Sequence, residues 1–70
     1  MKKLTGQEER ALEWLSMNEP ANVHHVPYAD AVLKGLLKKK YVTAEPTDDG
    51  LSYSLDTAGR EFIYRSLMEG

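Results

Sequence analysis

The seventy residues contain no cysteine, so neither a disulfide nor a thiolate metal site can staple the fold. Aromatics are sparse too, with one Phe, one Trp and four Tyr. A chain this short buries only about 60% of its unfolded surface, so Leu, Val and Ile must supply most of the core. Long apolar runs are missing. No stretch approaches the ~20 residues needed to span a bilayer. Met1-Lys2-Lys3-Leu4 has the basic character of a signal-peptide head, but Thr5-Gly6-Gln7-Glu8-Glu9-Arg10 follows it and provides no apolar segment. The expectation is a soluble protein of one domain over residues 1–70, with no membrane partner. The lack of cysteine fits a reducing, cytoplasmic setting.

A basic excess is also absent. Nine basic side chains stand against eleven acidic ones, for a formal net charge of −2, whereas nucleic-acid-binding domains usually carry a surplus of Lys and Arg. Distribution therefore matters more than the sum. Lys34, Lys38, Lys39 and Lys40 form a basic block, and Glu45, Asp48, Asp49 and Asp56 make the segment after it acidic. Catalytic chemistry is scarce. Ser16, Ser52, Ser54 and Ser66 lack a nucleophile-elbow context, and no paired carboxylates, glycine-rich phosphate loop or Cys/His pair stands out. His24 and His25 are neighbours and would point to opposite faces of a strand. Their nearest carboxylates, Glu19 and Asp30, share no ligand spacing with them. A non-enzyme without metal or cofactor is expected.

What is present reads as a small α+β fold. Thr5 and Glu8 have capping-box spacing, and Ala11, Leu12 and Leu15 give the buried stripe of a helix over residues 6–17. Asn18-Glu19-Pro20 ends it. Residues 21–26, with Val23 and Val26 bracketing the two histidines, hold either a short strand or a turn. Pro27 suits a first helical position and Asp30 the first turn. Ala29, Val32, Leu33, Leu36 and Leu37 then form the apolar stripe of a helix over residues 27–40. Asp30, Ala31, Lys34, Gly35 and Lys38 lie on its opposite face, where Gly35, at a cost of roughly 1 kcal/mol, marks either a close approach by another group or, the favoured reading, a tolerated exposed glycine.

Tyr41 to Glu45 is rich in strand formers, residues 46–50 are turn chemistry, and Leu51, Tyr53 and Leu55 alternate with serines. This predicts a β-hairpin over residues 41–55 with a loop of about four or five residues, its three large apolar side chains facing the helices. Asp56 caps a last helix over residues 57–68, with Ala58, Phe62, Ile63 and Leu67 buried.

Within this order, Leu36-Leu37-Lys38-Lys39-Lys40-Tyr41-Val42 resembles the "L-x-x-x-G-hydrophobic-V" junction where a winged-helix recognition helix enters its first wing strand. Tyr53-Ser54-Leu55-Asp56-Thr57-Ala58-Gly59-Arg60 resembles the "Y-x-L-T-x-x-G-R" signature after the wing in small bacterial, archaeal and phage winged-helix proteins. Asp56 replaces the usual Thr, and both residues cap helices. The resemblance covers residues 7–68 and implies a winged-helix-like domain. One departure is plain: only residues 18–26 are available for the helix that braces a recognition helix across the DNA backbone, so it is reduced to a turn or replaced by a strand that could pair with the wing.

The resemblance implies a DNA-binding regulator or phage accessory protein in which Tyr28, Ala31, Lys34, Gly35 and Lys38 face DNA and Lys39 or Lys40 touches phosphate. Such lysines give affinity by counterion release. The face lacks Arg, Asn and Gln, which make bidentate base contacts, so weak sequence specificity is expected. Two features stand against this picture. Cations in a last helical turn also stabilise the negative end of the helix by ~0.3–1 kcal/mol each, and an Asp48-Asp49 wing tip repels phosphate. The alternative is a protein–protein adaptor contacting its partner through Asp48 and Asp49. A homodimer is compatible with either.

Overall fold

Thr5 and Glu8 open the fold. In the computed structural model, which describes residues 4–69, the Thr5 hydroxyl accepts from the Glu8 N–H at 3.1 Å, and the Glu8 carboxylate accepts from the Thr5 N–H at 2.9 Å. This reciprocal capping box satisfies two otherwise orphaned donors and starts helix α1 (Gly6–Asn18). Ala11, Leu12 and Leu15 are fully buried on one stripe. The helix runs one residue beyond the expected end and stops at Glu19, which is extended before Pro20 as the proline requires.

Residues 21–26 contain both expected alternatives. Strand β1 (Ala21–Asn22) is followed by a 3-10 turn (Val23–His25). The Asn22 side chain accepts from the His24 N–H at 2.9 Å, which holds the entry to that turn. The histidines therefore sit in a turn, both exposed, and not on opposite faces of a strand.

Helix α2 (Asp30–Lys38) is shorter than the 27–40 expected from the sequence. Pro27 is not its first residue. Val26 is extended before the proline, and Ala29 is the N-cap with an extended backbone. Val26 is buried and Tyr28 packs half-buried on the core, and placing both there takes an extended link. Leu33 and Leu36 are fully buried, with Val32 and Leu37 packed beside them.

The helix ends by a device invisible to periodicity. The Tyr41 N–H reaches back to the Leu36 carbonyl at 2.9 Å and the Lys40 N–H to the Leu37 carbonyl at 3.0 Å, the two bonds of a Schellman motif. That motif needs a left-handed residue, and Lys40 supplies it with φ 66°. Lys40 stands where the junction pattern quoted above carries glycine.

The hairpin is strand β2 (Val42–Thr47) and strand β3 (Gly50–Leu55), antiparallel, and β1 pairs with β3 on its other side, giving the order β1-β3-β2. The connection is the two residues Asp48 and Asp49, shorter than expected, because Pro46 and Thr47 belong to β2, opposite Leu51 and Gly50. Pro46 is tolerated there because β2 is an edge strand. Tyr53 and Leu55 are buried as expected, but Leu51, nearer the tip, is 38% exposed.

Helix α3 (Thr57–Glu69) starts where the Asp56 carboxylate accepts from the Thr57 N–H at 2.7 Å. Its buried residue is Gly59. A Cβ there would collide with the Tyr41 backbone carbonyl, which itself accepts from the Asp56 N–H at 3.0 Å. Ala58, Phe62 and Ile63 are half-buried, with Phe62 edge-on to Tyr41 at 6.4 Å. Leu67 is not buried: it is 76% exposed, because α3 extends past the body it packs on. Glu19 fastens this end, accepting from the Leu55 N–H at 3.0 Å and from both terminal nitrogens of Arg60 at 3.1 and 3.2 Å. Among the described residues, no helix is long and apolar enough to cross a membrane.

The left-handed backbone of Lys40 costs about 1 kcal/mol that glycine avoids. Lys40→Gly should therefore raise stability by about 0.5–1 kcal/mol, part of the gain being offset by the freer unfolded glycine. Urea unfolding at constant m-value measures it, and an unchanged or lower midpoint would count against the Schellman assignment.

Candidate nucleic-acid interface

The residues expected to face a ligand divide into two groups. Ala31, Lys34 and Lys38 are exposed on the outward side of α2, and Lys40 is exposed just beyond its end. Lys34 and Lys38 are one helical turn apart, so their stems run along the same face. Among the described residues, Lys34, Lys38 and Lys40 form no ion pair.

Gly35 and Lys39 belong elsewhere. Both are half-buried and directed at α1. The Lys39 ammonium donates to Glu8 Oε1 at 2.7 Å, and the space a Gly35 Cβ would take is occupied by Glu8 Oε2. The glycine is therefore a close-approach position, not a tolerated exposed one. Tyr28 precedes α2 and packs half-buried against the core, so its ring is not on the helix face with Ala31 and Lys34.

Glu8 is the residue that sequence reasoning undervalued. It is 5% exposed, yet each carboxylate oxygen is accounted for. Oε1 accepts from Thr5 and Lys39, and Oε2 lies against the bare Gly35 backbone. Burial alone pushes its carboxyl pKa up. The Lys39 hydrogen bond, the Thr5 backbone N–H and the Lys39 charge outweigh burial and hold the group below its ordinary 4.5. The capping-box spacing signalled one role for Glu8, but no local signal ties it to a lysine 31 residues away.

Asp30 has an inward influence. Burial first, then the Asp30 charge, holds the Tyr53 phenol above its ordinary 10.0, so Tyr53 remains a neutral core residue. Asp48 and Asp49 are exposed at the hairpin turn. Asn22 Nδ2 donates to the Asp49 carbonyl at 3.0 Å, so β1 steadies the turn that carries the two carboxylates. Among the described residues, no three His, Cys, Asp or Glu side chains converge as a metal site.

The arrangement offers Lys34 and Lys38 on one exposed helix face, with Lys40 exposed just past the helix end and a fixed ion pair at Lys39. It can bind an anionic polymer through point charges. Planar, bidentate recognition is not available from lysine stems alone.

Because the folded Glu8 carboxyl lies below its ordinary 4.5, its stabilising contribution is complete above that value and is lost as pH falls through the folded one. Glu8→Gln should cost about 1–2 kcal/mol at neutral pH, and the gap from the unsubstituted chain should close on acidification. Thermal unfolding of both proteins from neutral pH to about pH 3 tests this, and a gap that does not change with pH would contradict it. No family model, curated protein or solved structure matches the chain.

Proposed function

We propose that this chain is a winged-helix-type module that binds nucleic acid through the outward face of α2, with little sequence discrimination. The observation that supports it is Lys40. A lysine held at φ 66° costs about 1 kcal/mol relative to glycine, and no ion pair within the described residues returns that cost. Retained strain of this kind points to work done outside the fold. Lys34 and Lys38 extend the same cationic surface by one helical turn, whereas Lys39 serves the interior.

Three lysines on phosphates account for a salt slope near −2.7 on duplex DNA, so affinity should fall about 40-fold over a fourfold rise in salt. Ala31 is small enough to let the helix approach a groove and to touch a thymine methyl. With no Arg, Asn or Gln beside it on that face, discrimination among base pairs is slight. The role this reading assigns is that of a regulator or phage accessory protein whose specificity comes from a second copy or another subunit.

A second reading has its own observation. The Asp48-Asp49 turn is steadied by Asn22, which presents two carboxylates on an ordered tip suited to a basic partner protein. That tip would repel phosphate, so under the first reading it points away from the nucleic acid.

Titration with random-sequence duplex at two salt concentrations separates the readings. Nucleic-acid binding predicts strong salt dependence, lost in Lys34→Glu plus Lys38→Glu, with the fold kept and only a small loss of thermal stability from the reversed charge at the end of α2. Absence of binding at low ionic strength, or unchanged affinity in the double variant, would exclude this face. A partner protein released by Asp48→Lys plus Asp49→Lys would instead establish the adaptor role.

A further inference from the structure

Where α2 gives way to β2, a different kind of surface follows the cations. Lys40 is joined directly to Tyr41, which is half-buried. The Tyr41 and Phe62 rings stand edge to face, 6.4 Å apart and at 84° to each other. With Ala58, Glu61 and Arg65 they line a cavity of about 150 Å³. Glu61 and Arg65 are both exposed and sit one helical turn apart on α3. Neither forms an ion pair among the described residues. The cavity is therefore an aromatic corner with one acceptor and one cationic donor at its rim.

We infer that this cavity holds one unpaired base of a single-stranded nucleic acid, an assignment that rests on the nucleic-acid reading of α2. Every base has a π-face that stacks on aromatic side chains. In a corner of two perpendicular rings, a flat ligand stacks on one and meets the other along its edge. An unpaired base also exposes a Watson–Crick edge, which carries both donors and acceptors. Glu61 accepts from the donors, and Arg65 donates to the acceptors. A paired base has neither its faces nor that edge free, so a duplex cannot use the cavity. The chain supplies the phosphate partners in order. Lys40 stands one residue from Tyr41, and Lys38 and Lys34 lead back along α2. The hairpin tip carries Asp48 and Asp49, which offer the second strand of a duplex no phosphate contact. A single strand laid along α2, with one base turned into the corner, engages the lysines and the cavity together.

Anisotropy titration of the full chain with three labelled ligands of one length tests the inference. They are a thymidine homopolymer, its duplex with the complementary strand, and an abasic strand that keeps only the phosphates. At about 50 mM salt, where the lysine contacts hold, the thymidine strand should bind about tenfold more tightly than either other ligand. Its lead over the duplex should widen as salt rises, because the single-strand salt slope is shallower. Ala58→Met, which fills the cavity without changing charge, should erase the lead and leave duplex affinity in place. Phe62→Leu should do the same by removing a ring. Phe62 packs against the core, so melting curves accompany it. Arg65→Ala, at an exposed position, should narrow the lead about threefold. Equal binding of the thymidine and abasic strands would overturn the inference, as would a lead that survives Ala58→Met. Duplex binding with no single-strand lead would overturn the cavity assignment alone. No binding of any ligand would overturn the reading of α2 and the cavity assignment with it.

Discussion

One buried carboxylate joins the start of α1 to the end of α2. Glu8 completes the cap that starts α1, neutralises Lys39 at the end of α2, and presses its second oxygen onto the Gly35 backbone. Each contact depends on the others. Without the Lys39 ammonium, a carboxylate 5% exposed would be desolvated with too few partners. Without glycine at position 35, α1 and α2 could not approach closely enough for the bridge to form. This group sets how closely the start of α1 approaches Gly35 and Lys39.

That arrangement also sorts the charges of α2 by task. Of four clustered lysines, Lys39 serves the interior, while Lys34, Lys38 and Lys40 face solvent without ion pairs among the described residues. Helix-end electrostatics accounts for Lys38, in the last turn. It does not account for Lys40, which lies past the helix end in a conformation that penalises every side chain. Glu19 makes a second fastening, holding the Leu55 N–H and the Arg60 guanidinium where β3 passes into α3. The outer half of α3 then stands clear with Tyr64, Leu67 and Met68 uncovered.

Much of the fold was legible in the sequence, for a physical reason. Element order and type depend on local spacing: the Thr5–Glu8 cap, the Leu33–Leu36 stripe, the Tyr53–Leu55 alternation and the Asp56 cap all act within a few residues. What the sequence hid was non-local or required a choice between equivalent local options. Pro27 fits a helix start, yet the burial of Val26 and Tyr28 keeps the link extended. Turn-forming Pro46 and Thr47 extend β2 because an edge strand tolerates them. Leu67 keeps helical spacing with Phe62 and Ile63, but periodicity carries no information on where the supporting body ends. Within the candidate interface, Lys34 and Lys38 could be placed on one face from spacing alone. Gly35 and Lys39 could not be removed from it without knowing that Glu8 lies against them.

The central claim is that Glu8 and Gly35 are one unit, and a double-mutant cycle addresses it directly. In an exposed helix, Gly→Ala gains about 1 kcal/mol. Here Gly35→Ala should gain nothing or destabilise the unsubstituted chain, because the new methyl displaces the Glu8 carboxylate from Lys39. In a Glu8→Ala background the same change should recover about 1 kcal/mol. Urea unfolding of the four proteins therefore should give a coupling energy of at least about 1 kcal/mol. Additive effects, with Gly35→Ala equally favourable in both backgrounds, would contradict the account.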